Sequence, residues 1–192
     1  TAVEAIALCS VVPPLTQIFE ELCHSYFSLK PLVIGAGVRT GIKVLYDSPR
    51  DVGADRIVDA AAAYHLYRGP VIIVDFGTAT VFDAVSANAE YLGGAIAPGL
   101  ILGAEAMAAN TSILRRVELV TPETPIGKNT SHSMQSGLVL GHVDMVEGMV
   151  NRFRKEMGGK PKVVATGGLA PLIATQTSVI DEQNQDNFTR ST

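Results

Sequence analysis

Three apolar segments, Val71–Val74, Val81–Val85 and Tyr91–Ala97, succeed one another with only short breaks, and this crowding limits the fold more than any other feature of the chain. The breaks are too short for the crossover that parallel neighbours need, so the three strands must meet as antiparallel hairpins. Gly77 punctuates the first junction and Ala87-Asn88 the second. The chain beyond these strands is mostly helical. Leu100–Leu114 reads as a helix, Thr121–His132 as a polar loop, and Met134–Met157 as a long helix ended by Gly158-Gly159. Val163–Ala165 is a last strand and Leu169–Ala174 a short helix.

Upstream, Ala5–Val12 is a short apolar run stopped by Pro13-Pro14, which predicts a buried strand. Leu15, Ile18, Phe19, Leu22 and Tyr26 form a helical stripe over 15–27. Pro31–Ile34 is a strand leading into Gly35-Ala36-Gly37, and Ile42–Tyr46 is another. Gly53–Tyr67 is the clearest helix, with alanines at 60–63 and a stop at Gly69-Pro70. We divide the chain into 1–68, 69–180 and a polar, frayed tail at 181–192.

With 192 residues, 47% of them hydrophobic, the chain can bury a core without staples. Its net charge of −4 lacks the basic footprint of a nucleic-acid binder. No apolar run reaches the roughly eighteen residues of a membrane span. Cys9 and Cys23 form no disulfide framework, and no basic leader precedes the first apolar run, so a reducing cytoplasm is expected. The absence of an initiator methionine points to processed material or a fragment, with the true start upstream.

Five short motifs carry the chemistry. Asp75-Phe76-Gly77-Thr78-Ala79-Thr80 joins two strands. A turn of glycine and small residues exposes backbone N–H groups in a concavity that cradles phosphate. Gly77 allows close approach, the Thr78 and Thr80 hydroxyls can donate, and Asp75 could hold a charge-neutralising cation. A plain β-turn with an Asx-type bond explains the same residues. Gly53-Ala54-Asp55-Arg56 opens a helix. Arg56 there can grip a carboxylate and Asp55 can accept a proton from an attacking hydroxyl. A helix-dipole carboxylate beside a solvated arginine is the simpler account of that spacing. Gly93-Gly94-Ala95-Ile96-Ala97-Pro98-Gly99 suggests close approach of a ligand or of backbone, or merely a strand between turns. Thr166-Gly167-Gly168 could lie flat under an adenine or ribose, and Thr130 or Ser131 in Gly127–Ser131 suits a helix N-cap. His24, His65, His132 and His142 show no metal-ligand spacing.

Three strands followed by helix, helix and strand resemble the ribonuclease-H-like unit of the actin, hexokinase and Hsp70 superfamily, an α/β fold. The serial order is more specific: Tyr46, Gly-Ala-Asp-Arg at 53–56, Asp-Phe-Gly-Thr-Ala-Thr at 75–80, Gly-Gly-Ala-Ile-Ala-Pro-Gly at 93–99, Lys-Asn-Thr at 128–130 with Ser133–Gly137, and Thr-Gly-Gly at 166–168. This order resembles the type III pantothenate kinases, also labelled Bvg accessory factors, from about residue 4 to about residue 181. The resemblance implies two ribonuclease-H-like domains, the second complete here and the first partial. It implies a cytosolic homodimer that phosphorylates pantothenate with ATP and Mg²⁺ at the first step of coenzyme A synthesis. Tyr46, Gly53, Ala54, Asp55, Arg56 and Thr130 would bind pantothenate near the dimer interface, with Asp55 the catalytic base. Gly77, Thr78, Thr80, Thr166, Gly167 and Gly168 would bind ATP. Asp75 would hold a monovalent cation, potassium or ammonium.

Two departures stand out. The family's first hairpin, Asp-x-Gly-Asn-Thr, has no counterpart here, which implies half a phosphate clamp and a chain inactive as it stands. After Val179-Ile180-Asp181 the sequence also leaves the family pattern. The alternatives are another phosphotransferase or phosphatase of the superfamily, a non-catalytic transcriptional accessory protein, and an inert fragment.

Overall fold

The structure is a computed structural model, and it describes residues 3–35, 38–111, 114 and 116–183. Ala36-Gly37, positions 112, 113 and 115, and positions 184–192 of the expected tail lie outside the described residues; the helix expected to reach Leu114 ends at Asn110, where Thr111 turns extended.

A small parallel pair comes first: β1 (Ala7–Cys9) and β2 (Leu32–Ile34), joined by α1 (Pro13–Phe27). β3 (Lys43–Val44) and a 3₁₀ turn (Pro49–Asp51) lead to α2 (Ala54–Tyr67). Then come the three crowded strands: β4 (Val71–Phe76), β5 (Ala79–Val85) and β6 (Glu90–Pro98). α3 (Leu100–Asn110) is next, then α4 (Thr130–Gln135), a π turn (Ser136–Leu140) and α5 (Gly141–Met157) in one helical run. β7 (Lys162–Thr166), α6 (Ala170–Ala174) and β8 (Glu182–Gln183) close the described chain.

The large sheet has six strands in the order β3-β6-β5-β4-β7-β8. β4, β5 and β6 pair antiparallel, as their short connections require, while β7 and β8 join parallel to β4. Both faces are covered, which is why β4 reads as an unbroken apolar run. Ile72, Val74, Phe76 and Phe82 pack with Val139, Val143, Val146 and Val150 of the long helical run. Val71, Ile73, Val85, Tyr91 and Val164 pack with Ala60 and Ala63 of α2 on the other face. The small alanines let α2 lie close to the sheet.

Several expectations need correction. The first strand is shorter than Ala5–Val12, and Ala7 and Cys9 are exposed, because among the described residues only β2 pairs with it. The α1 stripe exists as geometry but is not buried: Ile18 is 57% and Tyr26 82% exposed, and Cys23 is the one buried residue of that helix. The long helix starts at Thr130, not Met134, and carries a π turn. Glu182–Gln183, expected in a frayed tail, form an edge strand on β7. Lys43–Val44 joins the large sheet beside β6.

Ile72, the fully buried second residue of β4, is the test of this packing. Ile72→Ala is expected to destabilise the chain by about 2–5 kcal/mol in urea unfolding. Ile126→Ala, at a side chain 79% exposed, should stay within about 0.5 kcal/mol.

Candidate active site

Strand alternation turns Ile73, Asp75 and Asp83 toward the face covered by α2, since Asp83 lies opposite Ile73 and Asp75 opposite Val81. Arg56, in the first turn of α2, meets Asp83 there. Its Nε donates to Asp83 Oδ1 at 3.0 Å and its Nη2 to the same oxygen at 2.7 Å. The Tyr91 hydroxyl donates to that oxygen as well, at 2.7 Å. Both charged side chains are deeply placed, 12% exposed for Arg56 and 3% for Asp83. Burial would lower the Arg56 pKa; the hydrogen bond and charge of Asp83 more than offset it, with help from Tyr91 and a hydrogen bond to Tyr46. Burial pushes the Asp83 carboxyl up, while Arg56 and Tyr91 pull it back.

This pair needs room. A Cβ on Gly94 would stand 2.6 Å from both Arg56 Nη2 and Asp83 Oδ1, and against the Phe82 carbonyl. Its neighbour Gly93 takes φ +126° where the β5–β6 register slips, a conformation that L side chains rarely adopt. The Tyr46 ring lies 6.3 Å from that of Tyr91 and borders Gly93. Tyr46, Gly93 and Gly94 share a cavity of about 620 Å³ with Leu92 and Met157.

Gly53 is the N-cap of α2 and Ala54 its first residue. The Asp55 carboxylate folds back to accept the Arg56 backbone N–H at 2.9 Å and occupies the space where a Gly53 Cβ would stand. One turn on, Asp59 lies among Asp75, Asp83 and Asp55; burial first, then those three charges, push its carboxyl up to about 7. Asp75 is raised by burial, then by Asp55 and Asp83. Among the described residues no basic side chain forms an ion pair with Asp75. Nor does any group of three or more His, Cys, Asp or Glu form a metal cage there.

The glycines of three separate motifs meet at the β4–β5 turn. The Gly99 N–H donates to the Thr78 carbonyl at 3.2 Å, and a Gly99 Cβ would stand 2.7 Å from the Gly77 carbonyl. Thr166 lies opposite Asp75 in the β4–β7 pairing. Gly167, at φ +90°, packs so closely that a Cβ would be 2.5 Å from Asp75 Oδ1 and 2.7 Å from the Phe76 nitrogen. Gly77, the exposed Thr78 and Gly168 line a cavity of about 530 Å³ with Ile101 and Leu102 of α3.

The structure thus brings together Tyr46 with Arg56, Asp55 with Asp75, and Gly77 and Thr78 with Thr166–Gly168. Two residues depart from expectation. Thr80 does not face the turn's exterior: alternation buries it opposite Phe76, and its hydroxyl is 2.9 Å from His142 Nε2. Thr130 is exposed at the start of α4, and the cap there is Asn129, whose side chain accepts the His132 N–H at 2.9 Å. Sequence reasoning missed Asp59, Asp83, Tyr91 and the His142 contact. Asp59 was open to discovery, because its spacing of four from Asp55 puts both on one side of α2.

A sequence profile of the type III pantothenate kinases matches residues 1–152. A Geobacillus sp. (strain WCH70) protein named type III pantothenate kinase is 49% identical over 179 residues, 93% of this chain and 69% of that protein. A Dehalococcoides mccartyi protein of the same name is 53% identical over 176 residues, 92% of this chain and 68% of that one. Among solved structures, a Campylobacter jejuni protein assigned by its description to the Baf family of transcriptional activators aligns with a TM-score of 0.57 at 19% identity. It covers 88% of this chain and 72% of that one, and shows a shared fold.

Asp59 supplies a pH test. Its pKa rises from 3.8 in the unfolded chain to about 7 when folded, so the folded state holds the extra proton. The stability it contributes is present below its unfolded pKa and lost as pH rises through about 7. Urea midpoints of the wild type are expected to fall relative to those of Asp59→Asn as pH rises from 4 to 8. Parallel curves would place Asp59 in water.

Proposed function

We infer the working of this molecule from one premise: the chain belongs to the type III pantothenate kinase family, and is a kinase that phosphorylates pantothenate with ATP in coenzyme A biosynthesis. The observation that carries our assignment of roles is that Arg56 bonds Asp83 on the α2 face of the sheet while Asp55 and Asp83 lie near enough to Asp75, at the end of β4, to raise its carboxyl after burial has done so. Pantothenate then lies between Tyr46 and Arg56, with the Arg56 guanidinium on its carboxylate and Gly53 and Ala54 beneath it. Asp55, exposed at the tip of α2, receives the proton of the substrate hydroxyl as it attacks the γ-phosphorus. ATP lies along the cavity lined by Gly77, Thr78 and Gly168, with Thr166 and Gly167 along the adenosine. Thr130 enters from α4, and Thr80 acts indirectly, by tying the hairpin to His142.

Asp75 fits a singly charged cation. It is half-buried between other carboxylates and has no basic partner among the described residues, and one carboxylate with backbone oxygens is a weak-field donor set. Potassium or ammonium held there would offset charge beside the transferring phosphate, and Mg²⁺ would travel with the nucleotide. The strand order β3-β6-β5-β4-β7-β8, with only β5 reversed, supports a ribonuclease-H-like unit; we keep its main body at residues 69–180, with β3 and α2 of 1–68 joining its sheet and core and the rest of 1–68 belonging to a preceding unit. We place the enzyme in the cytoplasm as a homodimer. The outward apolar residues Leu92 and Ile96 on β6 favour a second copy.

Calorimetric titration of pantothenate in potassium buffer tests the substrate half. Saturable binding is expected, abolished by Arg56→Ala and weakened about 3–10-fold by Tyr46→Phe. Binding indifferent to both changes would move the pocket elsewhere. For the nucleotide half, Thr78→Ala should weaken ATP binding in a fluorescent-nucleotide titration and leave the urea midpoint alone. Thr80→Val should instead cost about 1–3 kcal/mol of stability, because it strands the buried His142 nitrogen. The reverse pattern would return Thr80 to direct phosphate contact.

A further inference from the structure

An arginine offers its partners two usable edges, Nε with Nη2 and Nη1 with Nη2, and a carboxylate bound to one leaves the other pointing in a fixed direction. In this molecule the Nε–Nη2 edge of Arg56 is spent on Asp83. The Tyr91 hydroxyl donates to the same accepting oxygen, and the Arg56 guanidinium carbon lies over its ring, 5.7 Å from the centroid. Gly94 vacates the volume in which the two side chains meet. Nothing in the Gly-Ala-Asp-Arg motif specifies this arrangement; it is built by β5 and β6.

We propose that Asp83, braced by Tyr91, is a positioning residue: by taking the Nε–Nη2 edge it fixes the remaining edge of Arg56, which lies beside Tyr46, and so makes the site prefer an acid over a neutral ligand of the same shape. The proposal rests on the reading of Arg56 as the partner of the pantothenate carboxylate. Two effects of Asp83 oppose each other, and their balance is what an experiment reads. Its charge partly cancels that of Arg56, which weakens the pull on an anion. Its bonds hold the guanidinium in one orientation, which strengthens a directed contact. A long, many-rotamer side chain loses less freedom on binding when it is already held. With Arg56 only 12% exposed, orientation outweighs the lost charge, because a mostly buried guanidinium has one free edge to offer and a change of rotamer would turn it away.

The test titrates the full chain with pantothenate and with pantothenol, in which a neutral alcohol replaces the carboxylate. The wild type is expected to bind the acid about 10–100-fold more tightly than the alcohol, the range of a charge-assisted contact. Asp83→Asn should weaken the acid, leave the alcohol within about twofold, and so collapse the ratio, with ATP affinity unchanged. Tyr91→Phe, which keeps the ring, should move the ratio the same way by a smaller factor. An unchanged ratio in a folded Asp83→Asn, or tighter binding of the acid, overturns the proposal; the latter would make Asp83 a charge neutraliser. The Arg56 Nε–H proton signal in NMR is read in parallel. It should be slowly exchanging in the wild type and in Tyr91→Phe, and lost to exchange in Asp83→Asn. If the wild type binds neither ligand, the pantothenate reading falls, and the Nε–H signal alone decides the anchoring: retention in Asp83→Asn, or absence from the wild type, refutes it. Should Asp83→Asn fail to fold, the Tyr91→Phe ratio decides.

Discussion

The ion pair between Arg56 and Asp83 is the joint on which the candidate site depends. It ties the first turn of α2 to the middle of β5, and so sets the height of the Gly-Ala-Asp-Arg turn above the sheet. Such a pair is poor evidence for stability, because desolvating two charges offsets much of their attraction. What it supplies here is direction. One carboxylate oxygen accepts from two guanidinium nitrogens and a phenol, so three side chains from three elements share a single point. Moving any of them moves the others. The presence of Gly94 has the same origin, since a side chain there would enter the volume the pair occupies.

A second convergence is made of backbone. Gly77, Gly99 and Gly167 come from different parts of the chain, yet each brings main chain against main chain at the end of β4. Side chains would hold these segments apart, and the Gly77 and Gly99 N–H groups close the turn on the Ala79 and Thr78 carbonyls. The Thr80–His142 bond works from beneath. It is a polar contact set into an apolar layer of valines and phenylalanines, and burial keeps the imidazole pKa low. A buried polar pair specifies one arrangement of its neighbours more sharply than methyl groups do, and here the neighbour is the hairpin that carries Thr78.

The sheet and most of its helices were legible because their signals are local. Val71–Val74 reads as a strand buried on both faces, and the brevity of the breaks around Gly77 and Ala87-Asn88 forces antiparallel pairing. The motif residues were legible too, as a serial order. What the sequence hid is what depends on partners far along the chain. Asp83 looks like an ordinary strand residue until Arg56, 27 positions earlier, is set beside it. Thr80 carries the same hydroxyl as Thr78, and only the pleat decides that one faces solvent and the other His142. The α1 stripe shows the opposite failure. Periodicity predicts which residues share a face, but says nothing of what covers them.

The electrostatics of the site are set by these placements. Asp55, Asp59, Asp75 and Asp83 crowd one face, and Arg56 is the basic group bound among them. Both ligands of a pantothenate kinase are anions, so the bare site would repel them. Two things reverse the sign. In the roles we propose, Arg56 offers one edge to a carboxylate, and the carboxylates left over attract the cations that polyphosphate requires. An acidic cluster is therefore not at odds with a phosphate site. On the proposed assignment it would make binding of the nucleotide conditional on its counter-ions, so that the phosphates arrive with charge already compensated and Asp55, as the proposed base, approaches the reacting hydroxyl without facing a bare polyanion.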